Sequence, residues 1–176
     1  MTLSTQPEHS THPQAYDNIA YLEQGLALLD QIEDEHYAAT LPPVFVSGVG
    51  AHIRHILDHF DCLLDGLPSG RVDYDRRRRD PRVENERLFA IESIRTLIDR
   101  LLALPAGAGE VALTVRMDSG SDAPVWATSS LTRELQFLTS HTIHHYALVA
   151  AILGHAGCTV SRRFGISPST LRHQRQ

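Results

Sequence analysis

Apolar residues recur at intervals of three and four along most of the chain, which is the spacing of one face of an α-helix. The pattern predicts long helices over residues 15–37, 47–66, 81–105 and about 129–157. Pro42-Pro43 ends the first, and Ser47 is placed to cap the second. Four long amphipathic helices predict an all-α fold, with a four-helix bundle as the default arrangement.

One stretch departs from the helical pattern. Between Glu110 and Ser129, Val-Ala-Leu-Thr-Val and Pro-Val-Trp-Ala-Thr read as short strands joined at Asp118-Ser119-Gly120. We therefore expect a small β-hairpin before the last long helix, without a second core. The first residues are polar and interrupted by two prolines. Residues 1–14 are predicted to be a flexible segment, and residues 15–176 a single domain.

Composition narrows the classes of protein that fit. The chain has 176 residues, 42% of them hydrophobic, with a net charge of −5. This balance does not favour nucleic-acid binding, which usually needs a clustered positive surface. The run Arg76–Arg79 is flanked by aspartates, so internal ion pairs are a better interpretation than a phosphate-binding patch. Neither a signal peptide nor a membrane span is recognisable, and we expect a cytoplasmic location with reduced thiols.

Several catalytic chemistries are excluded because all sixteen basic residues are arginine. Without lysine there can be no Schiff base and no P-loop lysine. The chain also lacks GxGxxG and GxSxG, and neither Cys62 nor Cys158 has a histidine beside it in sequence. Covalent catalysis by a protein group is therefore not favoured.

Histidines carry the strongest chemical signal. Two predicted helices about eighty residues apart hold six of the chain's eleven histidines: His52, His55, His59, His141, His144 and His145. His141 and His145 lie at i, i+4, so both imidazoles leave one helical face and can converge on one divalent metal. On the second helix, His52 and His59 lie closer to the apolar stripe than His55. Spacing alone leaves open which of these three contributes.

Four segments in order carry a family resemblance: GAHIRHILDHF, VDYDRRRRDPRVENER, SSLTRELQFLTSHTIHHYALVAAIL and FGISPSTLRH. With them the chain resembles the DinB-like proteins of the DinB/YfiT superfamily of metalloenzymes. The resemblance implies a four-helix bundle, often dimeric. It further implies a divalent metal, such as zinc, nickel or iron, held by His55, His141 and His145. His52, His59 or His144 could add a ligand or contact the substrate, and Asp58 could orient a ligating imidazole.

The implied chemistry is metal-dependent, and its catalytic residues stay unassigned. Three protein ligands leave coordination positions for water or substrate, which is the open arrangement of a catalytic site. A hydrolase or a low-molecular-weight-thiol transferase fits that arrangement, acting on a small molecule. A zinc-protease mechanism does not, because Thr142 stands where HExxH carries its general base. Glu134, seven residues before His141, is an alternative base, or else an ion-pair partner of Arg133 or a neighbouring helix.

Two further interpretations remain open. The chain could be a stress-linked helical dimer that binds a metal or small ligand without turnover, and a coordination shell saturated by additional histidines would favour it. The group around Tyr74, Asp75, Arg77, Arg79 and Glu84 could line the mouth of the site and hold a charged substrate. Alternatively, it could fasten the connecting segment to the bundle, which is the simpler role.

Overall fold

The computed structural model describes residues 12–107, 111–118, 120 and 125–173. Residues 1–11, most of the predicted flexible segment, lie outside the described part. A short 3-10 helix, Leu67–Ser69, follows the third helix. The elements are α1 (Pro13–Leu29), α2 (Asp34–Ala38), α3 (Val49–Gly66), β1 (Arg71–Asp73), α4 (Pro81–Asn85), α5 (Arg87–Leu102), β2 (Ala112–Arg116), β3 (Trp126–Ser130), α6 (Leu131–His155) and α7 (Pro168–His173).

The four longest helices, α1, α3, α5 and α6, surround one apolar core. Helix α3 packs against α5 and α6, and α1 packs against the same two helices. Fully buried aliphatic and aromatic side chains from all four meet there, including Leu22, Ile53, Phe60, Ile94 and Leu138. The prediction of a mostly helical fold with a small β element is confirmed. None of the described helices is long and apolar enough to cross a membrane.

Two helices that the sequence predicted as continuous are each broken in two. The first ends at Leu29 and resumes as α2. The third is interrupted at Glu86, whose backbone is extended at φ −119° and ψ 96°. Arg87 explains the second break, since its guanidinium donates to Asp34 (2.6 Å) and to the Leu29 carbonyl (2.8 Å). Long-range contacts thus fix both corners against local helix propensity.

The start of α3 also differs from the prediction. Gly48, not Ser47, occupies the cap position. A Cβ at Gly48 would lie 2.1 Å from the Ala39 carbonyl oxygen, and one at Gly50 would lie 1.9 Å from the Glu84 carbonyl oxygen. The backbone of α3 therefore approaches its neighbours more closely than a side chain allows.

A three-stranded sheet, in the order β1-β2-β3, contacts α3 through β1 and α6 through β3. β2 and β3 pair antiparallel, as expected for the two predicted strands, although part of their connection lies outside the described residues. β1 was not predicted; it pairs in parallel with β2, Val72 opposite Val115. The sheet delivers Tyr74 just after β1. It also places Ser130 at the start of α6, where its hydroxyl accepts a hydrogen bond from the backbone N–H of Arg133 (3.3 Å).

The carboxyl-terminal segment packs on α1 and α6. Phe164 stacks on Tyr146 with ring centroids 4.5 Å apart, and the Tyr21 hydroxyl donates to the Ile166 carbonyl (3.0 Å). Ser167 caps α7, since its hydroxyl accepts from the backbone N–H of Thr170 (3.3 Å). The tail is thus held on the two helices by a ring stack and a hydrogen bond.

Candidate metal centre

Helices α3 and α6 bring three imidazoles to one point at their interface. The ring centroid of His55 lies 4.9 Å from that of His141 and 4.6 Å from that of His145. One ring nitrogen from each of the three lies within 4.8 Å of the other two. The histidines named as ligands from the sequence therefore lie together in space. That they bind a metal stays a prediction.

His141 gives an independent sign that the group is incomplete. Its Nε2 is buried and has no hydrogen-bond partner among the described residues. Leaving a buried polar nitrogen unpaired costs about 1–3 kcal/mol, so such atoms are rare in folded proteins. A divalent ion that accepts the lone pair of this nitrogen would remove that cost. Three neutral imidazoles suit zinc, nickel and ferrous iron, and the residues present fit the metal that the family implies.

Burial keeps these rings in the form that binds metal. Desolvation, reinforced by neighbouring histidines, lowers the pKa of His141 to about 2 and that of His55 to about 3. The pKa of His145 falls to about 4, again mainly through burial. All three imidazoles are therefore neutral at physiological pH, with a lone pair available on each ring.

His52 contacts the site through His145. The two Nδ1 atoms are 3.0 Å apart, so one ring donates its hydrogen to the other and fixes its orientation. Such contacts hold ligating imidazoles in place in metal proteins. His144 is exposed, and its ring centroid lies 5.1 Å from that of His145.

His59 is the most buried of the six histidines, with 2% of its surface exposed. Its ring centroid lies 4.5 Å from that of His55 and 4.2 Å from that of His141. Both of its nitrogens are occupied: Nδ1 is 2.8 Å from the His55 carbonyl, and Nε2 is 3.3 Å from Nη1 of Arg77. Burial lowers the pKa of His59 to about 4, so this ring is neutral as well.

A buried carboxylate lies behind His59. The Glu134 carboxylate accepts hydrogen bonds from the hydroxyls of Tyr74 (2.7 Å) and Ser129, and the Tyr74 ring stacks on His59 at 5.4 Å. The ion pair considered from the sequence is therefore not the arrangement found; two neutral hydroxyls hold this carboxylate. No local signal could have paired Tyr74 with Glu134, because the two lie sixty residues apart in the chain.

The segment Arg76–Arg79 follows β1 and packs against α3 beside the site. Arg76 pairs with the flanking Asp73 (3.5 Å), as expected, whereas Arg78 pairs outside the loop with Asp65 of α3 (2.6 Å). Asp58 accepts from Arg54 (3.3 Å) and from the backbone N–H of Arg79 (3.2 Å). The sequence suggested that Asp58 could orient an imidazole. In the structure it fastens this segment to α3 instead.

The remaining members of the group around Tyr74 also form connections between elements. Asp75 accepts from the backbone N–H of Asp118 (3.0 Å), and Glu84 accepts from the Arg54 guanidinium (2.8 Å). The simpler role, fastening the connecting segment, therefore fits most of the group. Arg77 differs, because it contacts His59 beside the candidate centre.

A mostly helical fold in which three histidines meet between two helices defines a class of helical proteins able to hold a divalent metal. The DinB superfamily model matches residues 23–149, a range that includes His55, His141 and His145. The chain belongs to the DinB superfamily.

A curated relative extends the comparison. FK506-binding protein 5 of Rhizopus delemar (strain RA 99-880) is 33% identical over 114 residues, which cover 61% of this chain. The match spans only 29% of that protein's length, so most of the relative lies outside the part that resembles this chain. No solved structure matches the chain.

Proposed function

We propose that this protein is a divalent-metal-dependent enzyme in which His55, His141 and His145 form an open site. The observation that carries the proposal is the juxtaposition of three ring nitrogens within 4.8 Å, one of them buried without a partner. Three ligands from the protein leave positions for a substrate or water, and a bound divalent ion would lower the pKa of a coordinated water or thiol. We assign zinc, nickel or iron as the candidate ions.

The contacts around the site favour a nucleophile activated at the metal over one activated by a protein carboxylate. Both oxygens of Glu134 accept hydrogen bonds from hydroxyl groups. Thr142, which stands where HExxH carries its glutamate, is fully buried and has no carboxylate to act as a general base. The proposed reaction is therefore hydrolysis or transfer of a low-molecular-weight thiol to a small substrate. His52 holds the His145 ring in place through the contact between their Nδ1 atoms, and we assign it no proton transfer from a carboxylate.

Metal content is the direct test. Untagged protein purified without chelators is expected to contain near-stoichiometric divalent metal by elemental analysis. A variant carrying both His141→Ala and His145→Ala is expected to contain little. His144→Ala is the matched control, because His144 is exposed on the same helix and should leave the metal content unchanged. Trace metal in all three proteins, even after incubation with zinc or nickel, would falsify the proposal.

Turnover is a separate question, because the alternative is a stress-linked helical dimer that binds a metal or small ligand without catalysis. His52 and His59 crowd the three proposed ligands and give that alternative its physical basis. A screen of the metal-loaded protein against thiol acceptors and hydrolysable esters, with the double variant as background, separates the two. Turnover present only in the parent protein supports the enzyme. Stoichiometric metal without any turnover supports the binding protein.

We further propose a single DinB-like domain over residues 15–176 whose four long helices form a four-helix bundle. The helix neighbours and the joint core support this arrangement. We propose a homodimer in the cytoplasm that binds neither nucleic acid nor membrane, consistent with a net charge of −5. Light scattering at several protein concentrations tests the dimer.

A further inference from the structure

We infer that Arg77 is a positioning residue that keeps His59 from becoming a fourth metal ligand and thereby keeps the centre open. The inference rests on the proposed function, since it needs a metal bound by the other three histidines. His59 is the natural competitor for the open position. Its ring centroid lies 4.5 Å from that of His55 and 4.2 Å from that of His141, and the rings of the three proposed ligands lie 4.5–4.9 Å from one another.

The hydrogen bonds of His59 determine its tautomer. A guanidinium can only donate, so the contact between Arg77 Nη1 and His59 Nε2 (3.3 Å) occupies the Nε2 lone pair. The remaining hydrogen therefore lies on Nδ1, which donates it to the His55 carbonyl oxygen at 2.8 Å. No lone pair is left on this imidazole for a metal. The backbone of α3 fixes one nitrogen and Arg77 occupies the other.

Arg77 differs from its neighbours in what its side chain contacts. Arg76 and Arg78 each pair with an aspartate. The side chain of Arg77 is half-buried, and the hydrogen bond described for it goes to a neutral imidazole. The guanidinium interacts with the Asp58 carboxylate at longer range, but its hydrogen bond goes to His59 beside the proposed cation site. Without the guanidinium, Nε2 of His59 would be buried and unpaired, a cost that coordination of the metal would relieve.

The test uses Co²⁺ as a spectroscopic probe and azide as a small ligand for the open position. In the parent protein, azide is expected to change the visible absorption of bound Co²⁺. In Arg77→Met, His59 is expected to fill that position, so azide no longer changes the spectrum. Co²⁺ is expected to bind about tenfold more tightly, because coordination relieves a buried unpaired nitrogen. Arg77→Met with His59→Asn should restore both parent values. Arg78→Met, whose arginine pairs with Asp65, is the matched control and should behave as the parent.

Each result has a definite meaning. Co²⁺ binding with an azide response that is the same in the parent and in Arg77→Met overturns the inference and leaves the proposed metal site intact. A parent protein that binds no Co²⁺ overturns the proposed function, and the inference with it.

A measurement on the parent protein covers the case in which Arg77→Met does not fold. The ¹⁵N shifts of His59 are expected to show hydrogen on Nδ1 both without metal and with Zn²⁺ bound. Coordination of Zn²⁺ by His59 in the parent would contradict the inference directly.

Discussion

Two groups of polar side chains lie side by side where α6 meets α3 and the sheet, and they differ in whether their partners are present. In one, the Glu134 carboxylate accepts from Tyr74 and Ser129, and burial together with that carboxylate raises the pKa of Tyr74 far above its usual value. In the other, Nε2 of His141 is buried without a partner. The first group is complete within the chain, whereas the second needs something from outside it.

The difference separates a structural role from a binding role. A satisfied buried network stabilises the fold, and removing one member leaves the others unpaired. An unsatisfied group destabilises the fold and persists where a ligand or a reaction needs it. The two groups share a boundary at His59, whose ring stacks on Tyr74 on one side and approaches His141 on the other.

The largest expected effect follows replacement of the unpaired imidazole. His141→Leu replaces the imidazole by an apolar side chain of similar size. It is expected to weaken zinc binding by about 100-fold or more, since one of three ligands is lost. The metal-free variant should be as stable as the parent or more stable, because the unpaired nitrogen is gone. Zinc titration and urea unfolding of the metal-free protein measure the two effects. A marked loss of metal-free stability would show that His141 has a structural partner.

Replacement of the carboxylate should have the opposite pattern. Glu134→Leu leaves the hydroxyls of Tyr74 and Ser129 without their acceptor and is expected to lower the free energy of unfolding by about 2–4 kcal/mol. Zinc affinity should change much less than in His141→Leu. Gln136→Leu, at an exposed position of the same helix, sets the baseline for urea unfolding. If Glu134→Leu abolished zinc binding in a folded protein, the separation of the two groups would be wrong.

A smaller effect is expected at the edge of the satisfied network. Ser129→Ala removes one of the two donors to Glu134, but Ser129 is half-buried and water can replace its hydroxyl. The expected loss in the free energy of unfolding is about 0.5–1.5 kcal/mol. Thr128→Ala, at an exposed position of the same strand, is the control. A loss as large as that of Glu134→Leu would mean that Ser129 alone holds the carboxylate.

The smallest expected effect is that of pH on zinc affinity. The pKa values of His141, His55 and His145 are lowered to about 2, 3 and 4, so protons do not compete with zinc until the pH approaches 4. Three imidazoles with the ordinary pKa of about 6.5 would lose about a thousandfold in affinity between pH 7.5 and 5.5. This site should lose less than about threefold over that range. Calorimetry in buffers of different ionisation enthalpy should also detect almost no proton release.

Local patterns predicted the helical faces and failed where distant contacts decide the backbone. The apolar stripe of α3 and its end at Gly66 are visible in the sequence. The corner at Glu86 is not, because it depends on Arg87 reaching the end of α1. Strand β1 has only three residues, and its partner strand lies about forty residues further along the chain. Neither feature has a local signature.

The choice among the histidines of α3 shows the same limit. A helical wheel centred on the apolar stripe favours His52 and His59 over His55. The structure explains the disagreement with the family, because His59 lies deep among Tyr74 and Phe137 while the three-histidine group lies at a half-buried edge of the interface. The most apolar face of α3 is therefore the face that carries His59, not the face that carries His55. The i, i+4 pair on α6 needed no such choice.

Tyr146, the residue after His145, lies between Gly25 and Gly165, on the side of α6 that faces α1 and the carboxyl-terminal segment. A Cβ at Gly25 would lie 2.2 Å from the Tyr146 hydroxyl, and one at Gly165, whose φ is +67°, would lie 2.8 Å from its Cβ. Because Tyr146 directly follows His145, a larger residue at position 25 or 165 would displace the part of α6 that carries His145. In the proposed metal site, ion preference would then change through residues 25 and 165 with every proposed ligand retained.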